Sequence, residues 1–412
     1  MNVEIIAIGE ELLNGKIQNT NARFIASKLN DQGFDVRRIS TVGDNLDEIV
    51  ESLEEAWKND IIITTGGLGP TNDDLTQTSI CNFLNVESVF NEAAFESIKS
   101  IYKKKNLSLP ECNKKQAYIP KGSSILANPI GTAPGIHIEK DSRHLFVMPG
   151  VPYEMEKMFC EVVLPKLINI FKPNPKLIYK FRTSGLTESL VFKKLDRMEW
   201  APKLMNSSFL CSPRGIDVEV RFPDFADKKQ IKSVKQRIID SLGDFTYSYS
   251  VENMENVVAN LLYKQNKTLA AAESCTGGAV SSILTDVSGS SKFFKEGIIA
   301  YSNEAKVRLL GVSITTIERF GAVSAECAKE MAVGVRLNAQ TDIGLATTGI
   351  AGPTGGTPLK PLGLVYIAYS DNKSCEVQKL NFINGRLVHK ERTTHALLNL
   401  LWKYLIKNVG KK

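Results

Sequence analysis

Residues 271–279 read AAESCTGGA and gather a carboxylate, two hydroxyls, a thiol and two glycines into nine positions. The preceding run, TLAAA, has the short apolar pattern of a buried strand, and helical spacing resumes near Gly277. Glu273, Ser274, Cys275, Thr276, Gly277 and Gly278 therefore fall at the carboxyl end of a strand, where open α/β sheets bind ligands. A helix start offers unpaired backbone N–H groups and the positive end of its dipole. A hydroxyl held there can attack a carbonyl whose developing oxyanion those N–H groups stabilise. Gly277 and Gly278 let a substrate approach the backbone closely. Two plainer readings stand beside this one. Ser274 or Thr276 suits an N-cap, and Cys275 is either a rival nucleophile activated by the helix start or a small buried filler.

Two further strand ends add to this cluster. SGSSKFFKEGIIAYSNEAKVRLLG (residues 288–311) holds a strand ending at Tyr301-Ser302-Asn303, with Lys306 at the start of the next helix. TTGIAGPTGGTPLKP (residues 347–361) is a long loop of Gly, Pro and Thr after another strand, and its Thr348–Gly349 turn offers more backbone donors. Loops of this length in a compact domain usually serve function. Tyr301 and Asn303 are candidate pocket walls, although an aromatic at a strand end also suits a core, and Lys306 also suits a helix surface.

Near the N-terminus, TTGGLGPTNDDLT (residues 64–76) follows the apolar run DIII. Gly66, Gly67 and Gly69 expose backbone N–H groups as phosphate loops do. No G-K-[ST] follows, so this is not a Walker A loop. Asp73 and Asp74 sit where a helix is expected and suit capping and the dipole. Beside a phosphate they suit a hard divalent cation instead, completed by substrate oxygens. The absence of a nearby histidine favours magnesium over zinc.

These clusters need scaffolds. Over residues 1–172, VEIIAIG, DVRRISTVGD, DIIITTGG and RHLFVMPG read as strands. They alternate with amphipathic helices such as NLDEIVESLEEAWKN, a rhythm that predicts a mostly parallel sheet covered on both faces. KPNPK then reads as a linker. Residues 176–250 predict strand, helix, strand, helix, strand, a small α+β module. Residues 251–412 open with a helix and carry five strand candidates. Hydrophobic content of 43% and charged content of 23% fit a soluble globular chain of two or three domains. The seven cysteines include no C-x-x-C pair, which argues against structural zinc or a disulfide framework and for a reducing cytoplasm. No run of about 18 apolar residues predicts a membrane span. The net charge of +6 is too diffuse to predict nucleic-acid binding.

AESCTGG, VSGSSKFFKEGIIAYSNEAK, FGAVSAE and TTGIAGPTGGTPLKPLGLVYIA resemble the C-terminal domain of the competence/damage-inducible protein CinA family. EIIAIGEELLNGKIQNTNARFIASKL, the TTGGLGPTNDDLT loop, NKKQAYIP, NPIGTAPG and MPGVPYEM resemble the molybdopterin-binding domain that forms the N-terminal part of the same family. The resemblance implies an N-terminal α/β/α domain, a KH-like middle module without an RNA-clamping motif, and a C-terminal α/β/α amidase domain. For the last it implies hydrolysis of nicotinamide mononucleotide (NMN) to nicotinic acid mononucleotide and ammonia, without a cofactor, by a Ser–Lys dyad that maps onto Ser274 and Lys306. Such a lysine must be desolvated or crowded by positive charge to be neutral at pH 7, because a free one titrates near ~10.4. Cys275 stays a rival nucleophile, and Glu273 would orient the lysine or meet a substrate hydroxyl.

The family tends to carry Gly-Asp-Arg before its last helix. Asn384-Gly385-Arg386 stands here instead, leaving Arg386 and Lys390 as phosphate partners. For the first domain the resemblance implies cleavage of ADP-ribose to AMP and ribose 5-phosphate with Mg, Mn or Co, and for the whole a homodimer in pyridine-nucleotide salvage. The alternatives are an amidase whose first domain only binds nucleotides, and a non-catalytic competence, DNA-damage or molybdopterin-binding protein.

Overall fold

The computed structural model describes residues 1–196, 206–222, 227–250, 252–383 and 385–409. The chain divides into two compact units, Met1–Lys176 and Leu177–Lys412. No helix among the described residues is long and apolar enough to cross a membrane.

The first unit contains β1 (Asn2–Ile8), β2 (Asp35–Val42), β3 (Ile61–Thr65), β4 (Ser88–Phe90), β5 (Tyr118–Pro120), β6 (Ser124–Leu126), β7 (Gly135–Lys140) and β8 (Arg143–Met148). Six of them form one sheet in the order β2-β1-β3-β8-β7-β6. The first four run parallel, and β7 and β6 add an antiparallel edge. Period-two alternation assigns the faces. Val3, Ile5, Ile61 and Ile63 pack with Ala22, Ile25 and Leu29 of the helix Thr20–Asp31. Ile6, Ile8 and Ile62 pack with Ile49 and Leu53 of the helix Leu46–Ala56 on the other side. Asn19 and Asn45 start these helices, each accepting from backbone N–H groups of the first turn. The segment after β8 is not one continuous α-helix. It widens into a π turn at Phe159–Val163, just before Pro165, which has no N–H to continue the ladder.

The second unit contains two sheets. β9 (Leu177–Thr183), β10 (Asn206–Ser212), β11 (Gly215–Phe222) and β12 (Thr246–Ser248) form an antiparallel sheet in the order β10-β11-β9-β12. The helices Glu188–Asp196 and Lys228–Leu242 pack on it through Val191, Ile231, Val234 and Ile238. β10 is an addition to the expected element order. NSSFLCS has little strand propensity, and its ladder with β11 holds it extended.

β13 (Leu269–Glu273), β14 (Phe294–Ile299), β15 (Ile343–Gly349), β16 (Leu364–Ser370) and β17 (Cys375–Asn381) form the second sheet, in the order β14-β13-β15-β16-β17. β13 is parallel to both neighbours, with Glu273 opposite Ile299 and Thr347. That register brings the three expected strand ends side by side. One face, with Leu269, Ala271, Leu345 and Ile367, packs on the helices Met254–Gln265 and Arg386–Val409. The other is paved with Ala270, Ala272, Ala346 and Ala368 beneath the helix Ala325–Asn338. That helix lies so close that a Cβ on Gly344 would stand 2.1 Å from the Ala332 carbonyl oxygen.

Gly66, at the end of β3, has φ +114, and a Cβ there would lie 2.0 Å from the Ile8 carbonyl oxygen. Gly122 has φ +85 with open space around it. Gly66→Ala should therefore lower unfolding free energy by more than ~2 kcal/mol. Gly122→Ala should cost only the backbone term of ~1–2 kcal/mol. Urea unfolding of the two variants checks this, and equal losses would refute the close-approach account.

Candidate active site

Ser274 leaves the end of β13 with its N–H donating to the Thr347 carbonyl at 3.0 Å. Lys306 comes from the helix Asn303–Leu310, whose start is capped by the Ser302 side chain. Its Nζ lies 3.1 Å from Ser274 Oγ, 2.9 Å from the Ala300 carbonyl oxygen and 3.4 Å from that of Tyr301. Lys306 is only 2% exposed, and among the described residues it forms no ion pair. Burial holds its pKa below the ordinary lysine range. Cys275 faces the apolar core, and burial pushes its thiol up to about 12. At neutral pH it is a thiol, not a thiolate.

These groups open onto a cavity of about 340 Å³. Tyr301, Asn303, Thr348, Gly349 and Arg386 line it with Ser274, Cys275 and Lys306, and among the described residues no acidic side chain does. Arg386 spans the mouth, donating to the Tyr301 hydroxyl at 2.9 Å and to the Gly352 carbonyl at 2.8 Å. Lys390 stands over the nucleophile turn, its Nζ 3.5 Å from where a Cβ on Gly277 would lie. Asn384 lies outside the described residues. Four expected site residues have other tasks. Glu273 is fully buried, does not line the cavity, and turns its carboxylate to the start of the helix Ala279–Thr285. Thr276 is also fully buried, its hydroxyl 2.8 Å from that of Thr347. The Gly277 N–H donates to the Ser274 carbonyl at 3.2 Å, and the Gly278 N–H is already bonded to Glu273. The N–H groups of Cys275 and Thr276 find no partner elsewhere among the described residues, so the turn's free donors precede the two glycines.

The first unit has its own cavity, of about 380 Å³, at the carboxyl ends of its parallel strands. Gly66, Gly67 and Gly69 line it together with five carboxylates, Glu11, Asp44, Asp73, Asp74 and Glu154. Asp73 and Asp74 cap no helix, because the next one starts at Thr76 with Leu75 as its N-cap and no side-chain bond. Asp74 braces the loop instead, accepting from the N–H groups of Gly69 at 2.7 Å and Thr71 at 2.8 Å. Asp73 is exposed, and the Thr71 side chain holds its carboxyl below the usual range. Lys115 donates to the Thr71 and Asp74 carbonyls, and Gln116 to that of Leu68 at 3.1 Å. Both lie in the NKKQAYIP stretch that carried the resemblance, but nothing in that stretch assigns them to this loop. Among the described residues no three His, Cys, Asp or Glu side chains converge on one metal position.

Comparison with known proteins matches residues 251–405 to the family model "CinA C-terminal domain" and residues 4–169 to "Probable molybdopterin binding domain". A CinA-like protein from Kosmotoga olearia is 43% identical over 413 residues, covering 98% of this chain and 99% of the relative. Among solved structures, CinA from Thermoplasma acidophilum is 35% identical, with TM-score 0.37, covering 40% of this chain and 97% of that one. A competence or damage-inducible protein from Enterobacter asburiae is 36% identical, with TM-score 0.36, covering 37% of this chain and 96% of that one.

The buried lysine makes stability depend on pH with a defined sign. Its folded pKa is depressed below the unfolded value of ~10.4. Between the two values the unfolded chain binds more protons, so the folded state gains stability as pH rises. Wild type should therefore gain on Lys306→Met in urea unfolding as pH climbs toward ~10. A difference that stays constant with pH would contradict the buried, uncompensated amine.

Proposed function

The chain belongs to the CinA family, and from that premise we propose that its second unit hydrolyses the carboxamide of NMN to nicotinic acid mononucleotide and ammonia, with Ser274 as nucleophile and Lys306 as base. The observation that carries this reading is the buried Lys306 amine 3.1 Å from Ser274 Oγ, without an ion-pair partner among the described residues. A neutral amine has two N–H groups and one lone pair. The N–H groups suit the Ala300 and Tyr301 carbonyls, which leaves the lone pair for the Ser274 hydroxyl.

Ser274 Oγ attacks the carboxamide carbon while its proton passes to Lys306 Nζ. The N–H groups of Cys275 and Thr276 serve the oxyanion. Lys306 then protonates the leaving nitrogen, the C–N bond breaks, and ammonia departs. Water deprotonated by Lys306 attacks the acyl ester, releases the acid and restores Ser274. Arg386 and Lys390 suit the phosphate of a mononucleotide, and the absence of acidic lining residues suits its charge. The raised thiol pKa of Cys275 supports the serine over the thiol.

For the first unit we propose hydrolysis of ADP-ribose, in which water attacks one phosphorus of the pyrophosphate, the P–O bond to the bridging oxygen breaks, and AMP and ribose 5-phosphate are released. Its cavity offers carboxylate oxygens and glycine N–H groups, with no histidine, cysteine, lysine or arginine among the lining residues. That donor set fits a hard divalent cation, Mg, Mn or Co, held by Asp73 and its carboxylate neighbours. Such an ion supplies charge neutralisation for the pyrophosphate. Asp74 keeps the glycine loop in shape by taking the Gly69 N–H, and the Gly66 N–H goes to the Met148 carbonyl, so of the three glycines Gly67 is the one whose N–H is left for a phosphate oxygen.

Two assays test these readings. Ammonia release from NMN should fall by ~10³-fold or more in Ser274→Ala and Lys306→Ala and persist in Cys275→Ala. Loss in Cys275→Ala with retention in Ser274→Ala would overturn the serine assignment. The wild-type rate should rise with pH to a plateau reached below the ordinary lysine pKa, because the neutral amine is the active form. AMP production from ADP-ribose should require added divalent cation and disappear in Asp73→Ala without a change in melting temperature, since Asp73 is exposed. No AMP with any divalent cation would assign the first unit to nucleotide binding alone.

A further inference from the structure

We propose that Glu273 is a positioning residue that fixes both halves of the Ser274–Lys306 pair without touching substrate. Its kinetic readout rests on the amidase reading, while its chemical readout does not. Oε2 accepts from the Gly278 N–H at 2.9 Å and the Val280 N–H at 3.1 Å. Oε1 accepts from the Ser281 N–H at 2.8 Å and the Ser281 hydroxyl at 2.7 Å. Four donors thus converge on two oxygens that carry no exposed surface. The main chain of the same residue is the last position of β13, opposite Ile299 and Thr347. Its carbonyl accepts from the Ala300 N–H at 2.9 Å, and the Ala300 carbonyl accepts from Lys306 Nζ at 2.9 Å.

Two consequences follow for the turn 274–277. One end is held by the β13 main chain and the other by the Glu273 side chain, so the turn is clamped at both ends by one residue. Gly277 and Gly278 have φ +59 and +96 and bring no stiffness of their own. The clamp also takes up the N–H groups of Gly278, Val280 and Ser281 and leaves those of Cys275 and Thr276 unclaimed beside the nucleophile. The site needs acceptors only. A glutamine would place an NH₂ against N–H donors, so Glu273→Gln is not conservative here.

The test uses the full-length protein and a serine-directed fluorophosphonate, which reports the reactivity of Ser274 whatever the natural substrate. Labelling is followed by mass spectrometry for both rate and final extent. Glu273→Gln should label Ser274 to the wild-type extent but about 10²-fold more slowly. Its NMN kcat should fall by a similar factor with KM unchanged. The pH midpoint of kcat should stay in place, because the main-chain link from Glu273 through Ala300 to Lys306 survives. A merely structural lesion would lower the labelled extent and the melting temperature instead.

Ser281→Ala removes one of the four donors and should slow labelling by a smaller factor. It carries the test if Glu273→Gln does not fold. Wild-type labelling rates in the folded variants, or a loss confined to the extent, overturn the proposal. A wild type that labels at Ser274 yet releases no ammonia from NMN refutes the substrate reading and leaves the labelling test of Glu273 intact.

Discussion

An amine held out of water, with no ion-pair partner among the described residues, is the constraint on which the second unit turns. Charged, Lys306 would lose hydration that its two carbonyls only partly replace. Neutral, it matches its three neighbours donor for donor and lone pair for lone pair. Burial therefore favours the neutral amine, and strand register sets the Ser274 hydroxyl beside it. The ends of β14, β13 and β15 lie side by side because Glu273 pairs with Ile299 and Thr347. A shift of one residue in either ladder would separate the serine from the lysine.

The two units reach their cavities by the same route and furnish them with opposite charge. In each, parallel strands end in glycines or hydroxyls at one edge of a sheet covered on both faces. Five carboxylates line the first cavity and none lines the second. Fold alone decides neither chemistry. What differs is the residues brought to the strand ends: Asp73 and Asp74 from a loop in one unit, Lys306 and Arg386 from the first turns of two helices in the other.

Much of this was legible in sequence because it rests on local rules. The apolar runs of β1, β3, β13 and β15 and the glycine turns at Gly66 and Gly277 are short-range patterns. The proximity of Ser274 and Lys306, 32 residues apart, is not such a pattern. Motif resemblance suggested that pair before any geometry did. Other features were hidden for stated reasons. A glutamate beside a nucleophile reads as a substrate contact, but full burial sends its carboxylate to the nearest orphan N–H groups. Lys115 acts on the Gly66–Asp74 loop from 41 residues away, a tertiary contact without a local signature. β10 exists because β11 pairs with it, and the π turn at Phe159–Val163 answers a proline that lies beyond it.

The alanine-paved face of the second sheet has a bearing on how this site can diversify. Ala270, Ala272, Ala346 and Ala368 leave the helix above them no slack, and Gly344 admits not even a methyl. Larger side chains there would lever that helix away, at the cost of overpacking. The underside of the site is a rigid pavement that evolution cannot raise by small steps. Changes in what this cavity accepts are less costly at the Ile350–Gly355 loop and the Arg386 side of the opening, where one replacement remodels the entrance without lifting the floor.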